Sequence, residues 1–196
     1  MPAVRKARIT ASVGEQERDI LAAAAAEFTE VGVRRTSMDE VAGRAGVSRS
    51  TLYRRFPNKD TLFVAVAHDT FETTMRRIED VIAGLPPAAA VVEAFAVGAD
   101  IVHTDPLLRR MVLEDHAVRD LTASVSSLFI EMVTARIAAT LRVAGAVMDD
   151  DDLHEAVEIH VRLVISYMET PSSDPDRQSP AAVRRFAEKF LAPMIH

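Results

Sequence analysis

Arg49, Ser50, Thr51, Tyr53, Arg54, Arg55 and Lys59 stand within eleven positions of one another. Guanidinium groups can grip a guanine edge with two hydrogen bonds or neutralise a phosphate, and short hydroxyls suit either target. That grouping is the chemistry of nucleic-acid contact. Four histidines, His103, His116, His154 and His160, lie near Asp100, Asp105, Asp115 and the run Asp149 to Asp152, the residue types that hold a divalent cation. No pair among them has the four-residue spacing that puts two ligands on one helix face; His154 and His160 are six apart. The acidic run lacks the glycine and alternation of a calcium loop, and capping a helix is its simpler role. There is no Gly-x-Ser-x-Gly elbow and no glycine-rich phosphate loop among seven glycines. No metal, no cofactor and no catalytic residue is expected, and the chain does not read as an enzyme.

The elements that must position the basic group are helices. Ile20, Ala24 and Phe28 recur four apart, with Leu21 and Ala25 widening the stripe. Gly32 stops that helix. Ser37-Met38-Asp39-Glu40 fits a capping box, in which Ser37 takes one orphan amide and Glu40 reaches back to another. This second helix ends at Gly46, Ser48 caps a third running towards Phe56, and Pro57 stops it before Asn58 caps a fourth. Two short helices around a Gly46 turn make a helix-turn-helix, whose second helix enters a major groove. The start at Asn58-Lys59 adds free amides and a cation for a phosphate. An αα-corner with no partner has the same outline. The basic, hydroxyl-rich outer face speaks for DNA.

Further along, helical periods continue through nine helices and no alternating strand, an all-α chain. The fourth runs to about Ala83, the seventh from Val118 to about Ala144, and the ninth from Ser179 through Val183, Phe186, Phe190 and Met194. The organisation expected is a flexible basic tail over 1–14, a DNA-binding domain over 15–61 and a helical body over 62–196.

The 196 residues suit one large domain or two small ones, and 48% hydrophobic residues can build a core. Zero cysteines exclude disulfides and thiolate sites and make the cytoplasm the default compartment. No apolar run approaches the roughly 20 residues that span a bilayer, and the start lacks the apolar stretch of a signal peptide. A net charge of −6 argues against nucleic acid, but it is an average. Residues 1–60 carry 11 basic and 8 acidic side chains, net +3, and residues 61–196 carry 12 and 21, net −9. The positive part contains the predicted recognition helix.

The stretch Arg18 to Phe71 resembles the DNA-binding part of the tetracycline-repressor (TetR) family of bacterial transcriptional regulators. The matching residues are Ile20-Leu21-Ala22-Ala23-Ala24, Phe28, Gly32, Thr36-Ser37-Met38, Val41-Ala42, Ala45-Gly46-Val47-Ser48, Thr51-Leu52-Tyr53, Phe56-Pro57-Asn58-Lys59 and Leu62. The resemblance implies three N-terminal helices on DNA and a ligand-binding, dimerising body. It implies that Thr36, Arg49, Thr51, Tyr53 and Lys59 face DNA, with Tyr53 and Lys59 on phosphate. Ser37, Ser48, Ser50, Arg54 and Arg55 complete the expected interface. Ser50 departs from the family's usual glycine or alanine, and Arg55 from its common histidine.

The body resembles the family less tightly, through Thr104 to Met111 and Arg162 to Tyr167. A small-molecule effector between helices is expected to meet Phe71, Met75, Phe95, His103, Met111, Phe129, Met132 and His160. The eighth helix has Leu153, Val157, Val161 and Val164 on one side and Ile159, Leu163 and Tyr167 on another, more than one core stripe needs. Ile159, Leu163, Tyr167, Phe186 and Phe190 are therefore the expected interface of a two-fold homodimer. Such a dimer expects a palindromic operator in double-stranded DNA, as a repressor released by its effector. Two other functions fit an all-α chain: a helical adaptor for another protein, and a small-molecule carrier without DNA affinity.

Overall fold

Ile20, Ala24 and Phe28 all turn inward on α1 (Val13–Val31), as their four-residue spacing demands. The computed structural model describes residues 13–110, 119–170 and 172–196, and the side chains of these except at 102, 119–129, 168 and 175. Gly32 ends α1 at φ 84°, its N–H donating to the Phe28 carbonyl at 3.1 Å. Ser37 starts α2 (Met38–Arg44) by accepting from the Asp39 N–H at 3.2 Å. Only this half of the capping box forms. Glu40 is exposed in the first turn, where water and the helix dipole already satisfy a carboxylate.

The turn after α2 closes with Val47 N–H on the Ala42 carbonyl at 3.0 Å and Gly46 N–H on the Gly43 carbonyl at 3.2 Å. Gly46 sits at φ 67°, a left-handed conformation that costs a residue with a Cβ roughly 1–2 kcal/mol. The Ser48 hydroxyl then accepts from Thr51 N–H at 3.1 Å and opens α3 (Arg49–Arg55). Asn58 Oδ1 accepts from Thr61 N–H at 2.8 Å at the head of α4 (Lys59–Ile82).

Contacts divide the chain within α4: one compact unit ends at Asp69 and the other begins at Thr70. This lies beyond the expected 61/62 boundary because the first turns of α4 serve the first unit's core. Leu62 and Val66 are buried there, and Phe63 meets Phe28 edge to face at 6.0 Å. Arg44 pairs with Glu27 at 3.2 Å and Glu30 at 2.6 Å, tying the end of α2 to α1.

The second unit holds the rest of α4 with α5 (Pro87–Thr104), α6 (Pro106–Arg109), α7 (Arg119–Val143), α8 (Asp150–Glu169) and α9 (Pro180–Phe186). Its caps are Asp105, Asp149 and Ser179, each accepting a backbone N–H of the helix that follows. The acidic run therefore caps α8. Phe71, Met75, Ile78, Phe95, Ile101, Ile137, Leu141 and Val157 build the core between α4, α5, α7 and α8. Arg136 of α7 reaches Glu79 of α4, and Arg142 closes the α7–α8 turn on the Met148 carbonyl at 2.7 Å and on Asp150.

The ninth helix does not continue to Met194 as an α-helix. It passes into a π-turn at Ala187–Leu191 and a 3₁₀ turn at Ala192–Met194. Pro193 has no N–H to give to the preceding turn, so the α ladder cannot extend through it. The described residues form nine α-helices and no strand.

Candidate functional sites

In the first unit, α3 sorts its side chains by helical period. Leu52 and Phe56, four apart, are buried, while Arg49, Ser50, Tyr53 and Arg54 are exposed. Arg49 pairs with Asp39 of α2 at 2.8 Å, both side chains remaining well exposed, so a phosphate or a base can exchange for the carboxylate at little cost. The Ser48 hydroxyl meets Ser50 Oγ at 2.9 Å and Thr51 Oγ1 at 2.8 Å, a hydroxyl row across the start of the helix. Ser37 is half-buried as the cap of α2.

Three of the expected interface residues are differently employed. Thr36 is buried and its hydroxyl donates to the Gly32 carbonyl at 2.9 Å, so it closes the α1–α2 connection instead of presenting a side chain outward. Arg55 lies three residues after Leu52 on the inward side of α3. It is spent on Glu17 and on the Val13 carbonyl at 2.8 Å, anchoring α3 to α1. Lys59 Nζ donates to the Arg34 carbonyl at 2.7 Å and the Thr36 carbonyl at 3.1 Å. Two of its three donors are thus occupied and one is left for a phosphate. Lys59 is both a clamp and a cation.

In the second unit, α4, α5, α7 and α8, with Leu108 of α6, line a partly open cavity of ≈ 120 Å³. Phe71, Met75, Phe95 and His160 line it as the sequence expects. His103 does not: it is exposed, on the side of α5 away from Phe95, Gly98 and Ile101, which face the cavity. Met132 is also outside, 43% exposed, because Val133, Ile137 and Leu141 form the inward row of α7 and Met132 precedes that row by one position. The Met111 residue and the Phe129 side chain lie outside the described residues. Thr74, Ile137 and Ile165 line it too, and Val157, read in the sequence only as an apolar position of the eighth helix, joins them. The regular spacing of Val133, Ile137 and Leu141 was the signal that could have found that face.

His160 is 8% exposed and its Nε2 has no hydrogen-bond partner among the described residues. Burial pushes its pKa down to about 4, so the ring is neutral at physiological pH. On α8's other side, Ile159 and Tyr167 are 41% and 46% exposed and Leu163 is half-buried. Tyr167 meets Phe186 edge to face at 6.0 Å, and Phe186 meets Phe190, itself 54% exposed, at 5.3 Å. Arg184 grips Glu93 with its guanidinium fork and holds that carboxyl below the ordinary range. Among the described residues no three His, Asp or Glu gather as a metal site, and no helix is long and apolar enough to cross a membrane.

The family model of bacterial regulatory proteins of the tetR family matches residues 20–66, and that of the bacterial Tetracyclin repressor C-terminal domain matches residues 87–189. The chain belongs to the TetR family. It is a helix-turn-helix transcriptional regulator. An HTH-type regulator of Mycobacterium tuberculosis is 30% identical over 67% of this chain and 69% of its own. Among solved structures, a TetR-family regulator of Mesorhizobium loti is 22% identical, covers 92% of this chain and 95% of its own, and superposes with TM-score 0.69. RolR, solved in complex with resorcinol, is 18% identical over 93% of this chain and 95% of its own, with TM-score 0.60. These structures share the TetR fold from the helix-turn-helix into the helical body.

Proposed function

We propose that this TetR regulator grips a palindromic operator as a two-fold homodimer and is released by a small molecule held in the second unit's cavity. It acts as a repressor in the cytoplasm and not as a catalyst. The observation that carries the reading is the outward row Arg49, Ser50, Tyr53 and Arg54 on a helix that starts at a capped turn. Such a row is the part of a helix-turn-helix that reads a groove. Arg49 reads a base edge, and Tyr53, Arg54 and the third donor of Lys59 hold phosphates.

Salt-titrated gel shifts on the DNA flanking the protein's own gene test the interface. Arg49→Ala should weaken the preferred operator roughly 5- to 150-fold, the ~1–3 kcal/mol of a bidentate base contact, and bring it closer to unrelated sequences. Lys59→Ala should weaken all sequences alike and lower the salt slope by about one. An unchanged slope would remove Lys59 from the phosphate contacts and leave it a structural clamp.

Dimerisation is supported by the apolar face of Ile159, Leu163, Tyr167, Phe186 and Phe190, on which Ile159, Tyr167 and Phe190 are exposed while Leu163 and Phe186 also pack against the core. A two-fold axis there would bury the same residues from both copies. Sedimentation should give a dimer at micromolar concentration, and Phe190→Asp should shift it towards monomer; a wild-type monomer would sink the two-fold reading. Release requires that the effector bind the DNA-incompetent state more tightly, since equal affinity for both states shifts nothing. The ligand-lined precedent is RolR, whose structure contains resorcinol.

A further inference from the structure

The cavity in the second unit has a chemistry of its own. Among the described residues that line it, His160 bears the only ionisable group and Thr74 the only other side chain with oxygen or nitrogen. The remainder are aliphatic or aromatic side chains, Met75 and Gly98. No lysine or arginine among the described residues lines it, so none of those lining side chains compensates an anion. Among the described lining residues, the one fully buried polar atom without a partner is His160 Nε2, on a ring more than nine-tenths buried. An orphaned polar atom in an apolar cavity is a handle for a ligand group.

Two properties of the ligand follow. Its scale is about one ring: the cavity of ≈ 120 Å³ is comparable with the roughly 150 Å³ apolar cavity that accepts benzene, and it is partly open, which leaves room for a small substituent. Its polar group is set by the ring. A neutral imidazole Nε2 is a donor in one tautomer and an acceptor in the other, and a hydroxyl answers both. A carboxylate needs a protonated ring or a nearby cation, and burial holds this ring neutral.

We propose that the effector site takes an uncharged, mostly hydrocarbon molecule of about one aromatic ring, anchored by a single hydroxyl on His160 Nε2. This rests on the reading of the second unit as the effector-binding body. It makes the site one for phenol-like compounds and not for organic acids.

The test compares 4-methylphenol, toluene and benzoate by calorimetry and thermal shift on the full chain at pH 7.5, without DNA. These probes share a ring and differ in the group offered to His160. The methylphenol should bind roughly tenfold more tightly than toluene, the ratio of one neutral hydrogen bond, and benzoate should not bind. His160→Leu should erase the preference for methylphenol over toluene, and His160→Gln, which keeps a polar group, should retain part of it. Benzoate binding as tightly as methylphenol, a preference that survives His160→Leu, or no binding of either neutral probe would overturn the proposal. If the leucine variant does not fold, the three-probe ranking on the wild type and the glutamine variant decides alone. Gel shifts on the same preparation separate the two claims. DNA binding with no probe bound removes the pocket chemistry only, and methylphenol binding with no DNA affinity removes the regulator reading only.

Discussion

Phe28→Ala should unfold the first unit near physiological temperature and abolish DNA binding with it. Phe28 is fully buried and edge-on to Phe63, at the meeting of α1 with the start of α4. Removing a buried ring forfeits its transfer free energy and leaves a void that neighbours fill only in part, about 3–5 kcal/mol in total. Whole domains are stable by about 5–15 kcal/mol, and small units fall at the lower end because they bury a smaller share of their surface. The loss is therefore comparable to the entire stability available. The chain has no tryptophan and two tyrosines, Tyr53 in the first unit and Tyr167 in the second. In a Tyr167→Phe background, tyrosine fluorescence during urea unfolding reports the first unit. Phe28→Leu should lose much less than Phe28→Ala. Midpoints within measurement error of the wild type for both would show that Phe28 does not organise this core.

Acid should destabilise the second unit through His160, and the sign follows from the direction of its shift. Unfolded, the ring takes a proton near its ordinary value of 6.5; folded, burial delays that to about 4. Above pH 6.5 the two states bind the same number of protons and His160 contributes no slope. Between pH 6.5 and 4 the unfolded state holds the extra proton, so stability falls with falling pH by about 3 kcal/mol, and it levels below that window. Glu93 adds loss in the same direction, because Arg184 holds its carboxyl below the ordinary range and protonation releases that grip. The comparison of wild type with His160→Leu across pH 7.5 to 4 isolates the histidine. The variant should be at least as stable at neutral pH, since an apolar side chain replaces an unpartnered polar one, and it should lack most of the decline. Equal acid slopes in the two proteins would show that the folded ring titrates normally.

Much of the first unit is legible in the sequence. Ser37, Ser48, Pro57 and Asn58 are local signals, each acting on amides or dihedrals within four residues, and they set the limits of α2, α3 and the start of α4. Gly46 marks its turn for the same reason, a backbone conformation that only its neighbours define. The residues between Arg18 and Phe71 carry the family's pattern, and the family models match there and in the body. The net −6 concealed this until the charge was divided along the chain. The basic part is also the part that holds α3.

What sequence alone determined, then, is the all-α class, the helix-turn-helix and the family, because periodicity, caps and breakers are short-range physics. Only the tertiary structure decided which polar groups are free to act. Arg55 turns inward to the Glu17 carboxylate and the Val13 carbonyl of α1, and Lys59 clamps two carbonyls, all of them far away in sequence. His103 misses the cavity by the phase of α5, a helix apolar nearly all round whose inward side only its neighbours choose, whereas the spacing of Val133, Ile137 and Leu141 already set Met132 outside. His160 is a neutral, unpartnered ring because side chains from four helices remove its water. Desolvation is a sum over non-local neighbours, and no window of sequence contains it.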